Sequence, residues 1–322
     1  MKVPEELIEQ AVLLGKSTQY VQGAGGNLSI KSGNTIWIKA SGTRLRDAAK
    51  CNIFIPMNLM ETKKAVLETE NLQACCIDIE SNNLQNLRPS IETAIHSLLP
   101  QRHVAHVHAL GSIATAISGD AENLVANLSI NALKVFIPYA KPGIPLANLI
   151  LDSISEFNID SQANILILLG NHGLIVATKD SKTATDLIVE IESKLNLDVH
   201  IPLIMGLSED GWTEVFPAKT VSPAKAELLL GGPLTPDEIV FLGERPFVKW
   251  ENRRSDSKVA VKFDGSIWAV SDLSQDALEI LESFVNIAHL YNYENEVSYL
   301  SSENVEELLN WDAEKWRKRQ ER

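Results

Sequence analysis

Two histidines one residue apart, His106-Val107-His108, end the short apolar segment that starts at Val104. In an extended strand, residues two apart project from the same face, so both imidazoles can converge on a single ion. A chelating pair is therefore built in locally, and the chain must fold so that further donors reach that face. A third imidazole from Gly170-Asn171-His172-Gly173 and a carboxylate from Pro89-Ser90-Ile91-Glu92 would complete a tetrahedral site, or leave a position open if the carboxylate moves aside. The expected product is a reactive metal centre.

At 322 residues the chain has room for one large domain or for one domain and a smaller one, and an apolar content of 45% suits a globular protein. Lys+Arg 29 against Asp+Glu 42 gives a formal charge of −13, which disfavours nucleic acid or an anionic membrane surface as partner. Any anionic substrate must find a local positive site. The cysteines, Cys51, Cys75 and Cys76, include an adjacent pair that an ordinary disulfide would strain, which favours a reducing compartment. Met1 to Gln10 lacks a secretion-signal pattern, and no run approaches the roughly 20 apolar residues that span a bilayer. A cytoplasmic location is expected.

Leu7, Ala11, Val12 and Leu14 form a helical stripe in the opening segment. After Gly23-Ala24-Gly25-Gly26, the segments Asn27–Lys31 and Thr35–Ala40 read as a hairpin around Ser32-Gly33-Asn34. Ile91–Leu99 reads as a helix capped by Ser90, and Val104–His108 as the strand that follows it. Gly111–Ser118 reads as helix, Lys134–Pro138 as strand, Asn164–Leu169 and Leu174–Thr178 as a hairpin bent at His172, and Thr183–Leu195 as helix. The core unit is expected over residues 1–205, with a smaller α/β unit over 206–322 that holds a strand pair near Lys258–Val270 and a helix Gln275–Tyr291. Glu314 to Arg319 reads as a charged helix end, with Trp311 and Trp316 as packing anchors.

Single residues have plain structural readings beside functional ones. His96, His103, His200 and His289, taken alone, read as structural or exposed. Gly23–Ser29 reads equally as a tight turn into a hairpin and as a nest of N–H groups cradling an anion. Lys39 and Arg44 can neutralise a phosphate or sit in solvent, and neither is assigned catalysis. Cys75-Cys76 reads as buried filler. Asp237 and Glu238, after Pro236, read as the first turn of a helix whose dipole they complement, and nothing assigns catalysis to the C-terminal unit.

Gly25-Gly26-Asn27-Leu28-Ser29, Ile38-Lys39-Ala40-Ser41-Gly42-Thr43, Pro89-Ser90-Ile91-Glu92, His106-Val107-His108, Ile137-Pro138-Tyr139-Ala140 and Gly170-Asn171-His172-Gly173 together resemble the class II aldolase/adducin family. They occur in the family's order across roughly residues 5–205. Trp37 to Thr43 and His103 to His108 look most similar to the aldolase portion of bifunctional rhamnulose-phosphate aldolase/dehydrogenases. The resemblance implies a three-layer α/β/α fold around a mainly antiparallel sheet, assembled as a homotetramer with active sites between subunits. It implies that His106, His108 and His172 bind Zn²⁺, or another divalent metal such as Mn²⁺, and that Glu92 is both ligand and catalytic acid/base. Gly26, Asn27, Ser29, Ser41, Gly42 and Ser90 would line a phosphate or equivalent anion pocket, and Tyr139 would donate a proton into a neighbouring subunit's site. The sequence departs from the phosphate-sugar aldolases at Ile91, where a second serine often stands.

The reaction implied is cleavage of a C–C bond in a ketose or ketose phosphate through a zinc-stabilised enediolate. A sugar-phosphate dehydratase or an epimerase uses the same scaffold, although epimerases are expected to carry aspartate in place of Glu92. A non-catalytic adducin-like binding protein is the alternative of another class, and its cytoskeletal relatives are expected to lack the metal histidines that are present here.

Overall fold

The computed structural model describes residues 1–68, 71–77, 84, 86–157, 159–195, 200–291 and 294–311. Strands β1 (Asn27–Ser32), β2 (Thr35–Lys39), β3 (Phe54–Asn58), β4 (His103–Val107), β5 (Leu133–Ile137), β6 (Ile165–Leu169) and β7 (Gly173–Thr178) form a 7-stranded sheet in the order β3-β2-β1-β4-β7-β6-β5. Neighbours pair antiparallel except β5 and β6, which run parallel. β4 thus lies at the centre, between β1 and β7, where its residues are buried on both faces.

The period-two alternation of the strands sorts their apolar side chains into two cores. Leu28 and Ile30 of β1, Ala105 and Val107 of β4, and Leu174 and Val176 of β7 meet the helices Glu5–Gly15 and Ser181–Lys194 through Leu7, Leu14, Ala184 and Ile188. On the opposite face, Val104, Ile167, Ile175 and Ala177 meet the helices Thr93–Leu98 and Ile144–Ile154 through Ile95, Leu146 and Ile150. Helix, sheet and helix make the three layers that the resemblance implied. The opening stripe works as expected, with Leu7, Ala11 and Leu14 buried.

Both expected hairpins form. β1 and β2 close at Ser32↔Thr35 with Gly33 at φ 56, a left-handed conformation that glycine adopts without the Cβ clash other residues meet. β6 and β7 close at Leu169↔Gly173, which leaves Gly170-Asn171-His172 as the bend.

The helix expected over Ile91–Leu99 starts later, at Thr93. Pro89 is held in an extended bridge to Ala40, and Ser41 N–H donates to Arg88 O at 2.9 Å, so the chain must turn before it can coil. Ser90 serves that turn and not the helix cap: its Oγ accepts from Glu92 N–H at 3.3 Å, and its carbonyl accepts from Thr93 N–H at 3.0 Å. Glu92 occupies the N-cap position with no side-chain cap bond, which leaves its carboxylate for other partners.

A 5-stranded sheet follows, with β8 (Ser208–Glu209), β9 (Trp212–Phe216), β10 (Val248–Lys249), β11 (Val259–Val261) and β12 (Ile267–Val270) in the order β10-β11-β12-β9-β8. The expected strand pair is β11 and β12, and the expected long helix runs Gln275–Leu290. Their core is shared. Leu110, Ile113 and Ile117, on or just past the helix Leu110–Ala116 that follows β4, pack with Phe216, Leu281 and Phe284. Trp311 packs against Ile239, Leu300, Val305 and Leu308 as one expected anchor, whereas Glu314 to Arg319 and Trp316 lie outside the described residues. Among the described residues no helix is long and apolar enough to cross a membrane.

Lys31 on β1 is a buried amine whose Nζ donates to Gln101 O at 2.8 Å. Burial first, and then the Lys63 charge, pull its pKa down to about 7. An unfolded lysine titrates near pH 10.4, so between these values the unfolded chain binds more protons and the Lys31 contribution to stability rises with pH. The steepest slope is about 1.4 kcal/mol per pH unit. Urea titrations from pH 7 to pH 10 should show that rise in the wild type and a flatter profile in Lys31→Met. Identical profiles would contradict it.

Candidate metal centre

Three separate segments deliver the histidines. His106 lies within β4, in register with Asn27 of β1 and Ile175 of β7, and His108 lies just beyond the strand end on the same face. His172 is held by the β6–β7 bend, where Asn171 takes φ 54 and Gly173 takes φ 157. A Cβ on Gly173 would fall 2.5 Å from Val107 O, so this close approach of the bend to β4 requires glycine. The Asn171 amide donates to Leu234 O at 2.9 Å and to Ser298 O at 2.7 Å, which fixes the bend from the C-terminal side.

The rings meet. Centroid separations are 4.9 Å for His106–His108, 4.7 Å for His106–His172 and 5.3 Å for His108–His172. One ring nitrogen from each lies within 4.8 Å of the others, and all three side chains are buried. Glu92 Oε1 is 2.6 Å from His106 Nδ1 and 3.8 Å from His172 Nε2.

Charge is arranged around this cluster. Burial alone would raise the pKa of Glu92, but the imidazoles of His106, His172 and His96 outweigh it and hold the carboxyl well below its ordinary range. Burial, aided by the neighbouring His106 and His108, drives His172 well below 6.5 and keeps it neutral, as a metal ligand must be. His106 Nε2 and His172 Nδ1 make no hydrogen bond among the described residues. Unmet buried nitrogens are costly, and three convergent imidazoles beside an ionised carboxylate match the donor set of a divalent cation such as zinc.

A cavity of about 40 Å³ adjoins the cluster, with Glu92, His108 and His172 in its wall. Of the residues expected to hold an anion, Gly26, Ser41, Gly42 and Ser90 reach this wall. Asn27 and Ser29 do not line it: both are buried, and Ser29 Oγ lies 2.8 Å from His96 Nδ1. Burial lowers the His96 pKa to about 3, so this ring is a neutral support behind the site. Ile91 also lines the wall and places an apolar side chain there.

Neither basic residue is solvated. Lys39 reaches the wall but spends its Nζ on Ala24 O at 2.9 Å and Thr43 O at 2.7 Å, which ties the glycine loop to the loop after β2. Arg44 pairs with Asp276 at 2.6 Å. Tyr139 is absent from the lining and packs against the cluster of Ile239, Leu300, Val305 and Leu308. Of the other histidines, His103 sits 3.5 Å from Glu6, His289 bonds Val285 O and Thr220 O, and His200 is exposed.

One neighbour of the site was missed by sequence reasoning. Asp237 lies in the first turn of the helix Pro236–Leu242, as expected, yet its Oδ2 is 2.7 Å from His108 Nδ1 and it lines the cavity with Pro236. Its place after Thr235-Pro236 accounted for it locally as a helix-start carboxylate, and no spacing linked it to His108. Glu279, outside the cavity wall, accepts Gly23 N–H at 2.8 Å while pairing with Arg46 at 2.7 Å.

Residues 5–198 match the family model of the class II aldolase and adducin N-terminal domain. The protein named uncharacterized oxidoreductase YuxG of Bacillus subtilis (strain 168) is 26% identical over 208 residues, which is 60% of this chain and 29% of that protein. The chain thus matches less than a third of that relative's length. The N-terminal class II aldolase domain of a conserved protein from Thermoplasma acidophilum aligns with a TM-score of 0.49 and 23% identity over 60% of this chain and 93% of its own. L-fuculose 1-phosphate aldolase from Glaciozyma antarctica PI12 aligns with a TM-score of 0.34 and 14% identity over 60% of this chain and 75% of its own.

Metal-stripped wild type should take up one equivalent of Zn²⁺ per chain and melt at a higher temperature when saturated, because a ligand that binds only the folded state stabilises it. His106→Ala and His172→Ala should each lose both effects, read by metal analysis after desalting and by thermal melting. Full uptake by both variants would sink the centre.

Proposed function

The chain belongs to the class II aldolase and adducin family, and from that premise we propose that it is a metal-dependent aldolase that cleaves a C–C bond in a ketose or ketose phosphate. The supporting observation is the convergence of His106, His108 and His172 with one another beside Glu92 at a cavity wall. The three histidines would hold Zn²⁺, with Mn²⁺ as the other cation to test. Bound there, a divalent cation supplies Lewis-acid stabilisation of the negative charge left on the substrate oxygens when the bond breaks.

The chain's own residues account for the proton. Glu92 is an ionised, buried carboxylate at the cavity, and its N-cap position leaves the side chain free of any cap bond. It is therefore placed to accept a proton and to return it at the carbon that carries the developing charge. Ser41 and Ser90 supply hydroxyl groups at the same wall, and Gly26 and Gly42 let backbone approach a bound anion closely. Lys39 contributes by fixing the two loops that carry these groups. Ile91 makes one part of the wall apolar, which favours a substrate with a single compact anionic or hydroxyl group at that end. The cavity of about 40 Å³ suits the reacting end of such a molecule, with the remainder extending outward.

Tyr139 lies outside the cavity of its own chain, so its assigned role, donation of a proton to the departing aldehyde oxygen, is proposed for a neighbouring copy in a homotetramer. The division at residue 205 is proposed as the boundary of the aldolase unit, with 206–322 as its extension.

A panel of ketoses and ketose phosphates, assayed with Zn²⁺ and with Mn²⁺, should yield a released aldehyde from at least one member. Glu92→Gln should keep its metal and lose turnover by roughly 10²–10⁴-fold, the range for removal of a general acid or base. Water loss in place of aldehyde release would redirect the chemistry to dehydration, and undiminished turnover in Glu92→Gln would remove the assigned role.

A further inference from the structure

The extension beyond the family match reaches into the site at one point. His108 Nδ1 and Asp237 Oδ2 are 2.7 Å apart, with both side chains almost fully buried. A neutral imidazole has one N–H and one lone pair, and an ionised carboxylate can only accept. Two facing lone pairs would repel at this separation, so the contact places the hydrogen on Nδ1 and leaves the lone pair on Nε2. We propose that Asp237 is a positioning residue of the metal centre, fixing the tautomer and the ring orientation in which His108 offers Nε2 to the cation. The inference rests on the reading of the three histidines as a metal site.

The placement of Asp237 is itself built. Pro236 occupies the start of its helix, and Glu238 accepts Thr235 N–H at 3.2 Å and Leu234 N–H at 2.5 Å, which shapes the turn that carries the aspartate. Leu234 O receives the Asn171 amide at 2.9 Å, so the turn is tied to the bend that presents His172. The segment that orients His108 is thus anchored beside a second histidine of the cluster. A third tie runs from Glu279 of the long helix to Gly23 N–H at the start of the glycine loop. Carboxylate, imidazole and cation in series is a recurrent arrangement, and loss of the outer carboxylate weakens metal binding by about 10–100-fold.

The test uses the full chain and Zn²⁺ alone. Chelator competition should give Asp237→Ala a Zn²⁺ affinity about 10–100-fold weaker than wild type. Asp237→Asn keeps an oxygen that can accept from Nδ1–H and should recover most of that loss. Nitrogen NMR of the histidine rings in the metal-free protein supplies a readout independent of metal: His108 should be the Nδ1–H tautomer in wild type and Asp237→Asn, and should lose that preference in Asp237→Ala. An affinity for Asp237→Ala within twofold of wild type overturns the inference and leaves the metal centre standing. Equal loss in the Asn and Ala variants also overturns it, since that pattern marks a direct ligand. A wild type that binds no Zn²⁺ overturns the centre and the inference together.

Discussion

Three imidazoles and a carboxylate are withdrawn from water at one point, and their mutual compensation is the constraint on which the other features of this molecule depend. Burial alone would raise the pKa of Glu92, because it penalises the charged form. The imidazoles facing it reverse that outcome. The rings in turn cannot all be charged so close together, and His172 is kept neutral by burial and by its two histidine neighbours. Glu92 is the anion of the cluster and His172 a neutral donor beside it. The cluster's unmet ring nitrogens give it a reason to hold a cation.

Much of this was legible in the sequence because it is encoded by local periodicity. His106 and His108 share a face by the alternation of a strand, and β4 was expected as a strand from its own residues. The bend at His172 was legible from glycines flanking two apolar runs, and both hairpins form there and at Gly33. The start of the helix after Glu92 was not legible. Ser90 looked like a cap, but the bridge between Ala40 and Pro89 holds the preceding chain extended and displaces the first helical turn to Thr93. That bridge is a long-range contact, and a cap signal carries no information about it. The consequence is functional, since a Glu92 inside the helix would project differently toward β4.

Ser29 and Asp237 failed to be read for opposite reasons. Ser29 sits in a motif that resembles an anion-binding segment, yet strand alternation turns it to the side where His96 waits, and its hydroxyl is used there. Asp237 sits in no such motif. Its local context, proline followed by two acids at a helix start, was a sufficient explanation by itself, and the helix does form as that context requires. What the context omitted is that the same turn faces His108 across the junction of the two sheets' units. A residue with two roles shows only the local one in its sequence.

The shared packing decides how the extension behaves. Leu110, Ile113 and Ile117 follow directly on the metal strand and belong to the core of the second unit, so the chain passes from His108 into that core without an intervening linker. Glu192, on the helix Ser181–Lys194, caps the helix Leu110–Ala116, accepting the Gly111 and Ser112 N–H groups at 2.9 and 3.0 Å. Two ion pairs, Arg44–Asp276 at 2.6 Å and Arg46–Glu279 at 2.7 Å, join the loop after β2 to the long helix, and in each the carboxylate is nearly buried. Separating the units would break both pairs and return Leu110, Ile113 and Ile117 to water. Pro236 and Asp237 share the cavity wall with Ala24, Gly25 and Gly26 of the glycine loop. Through Pro236 and Asp237 the extension forms part of the cavity wall and is not an attachment to it.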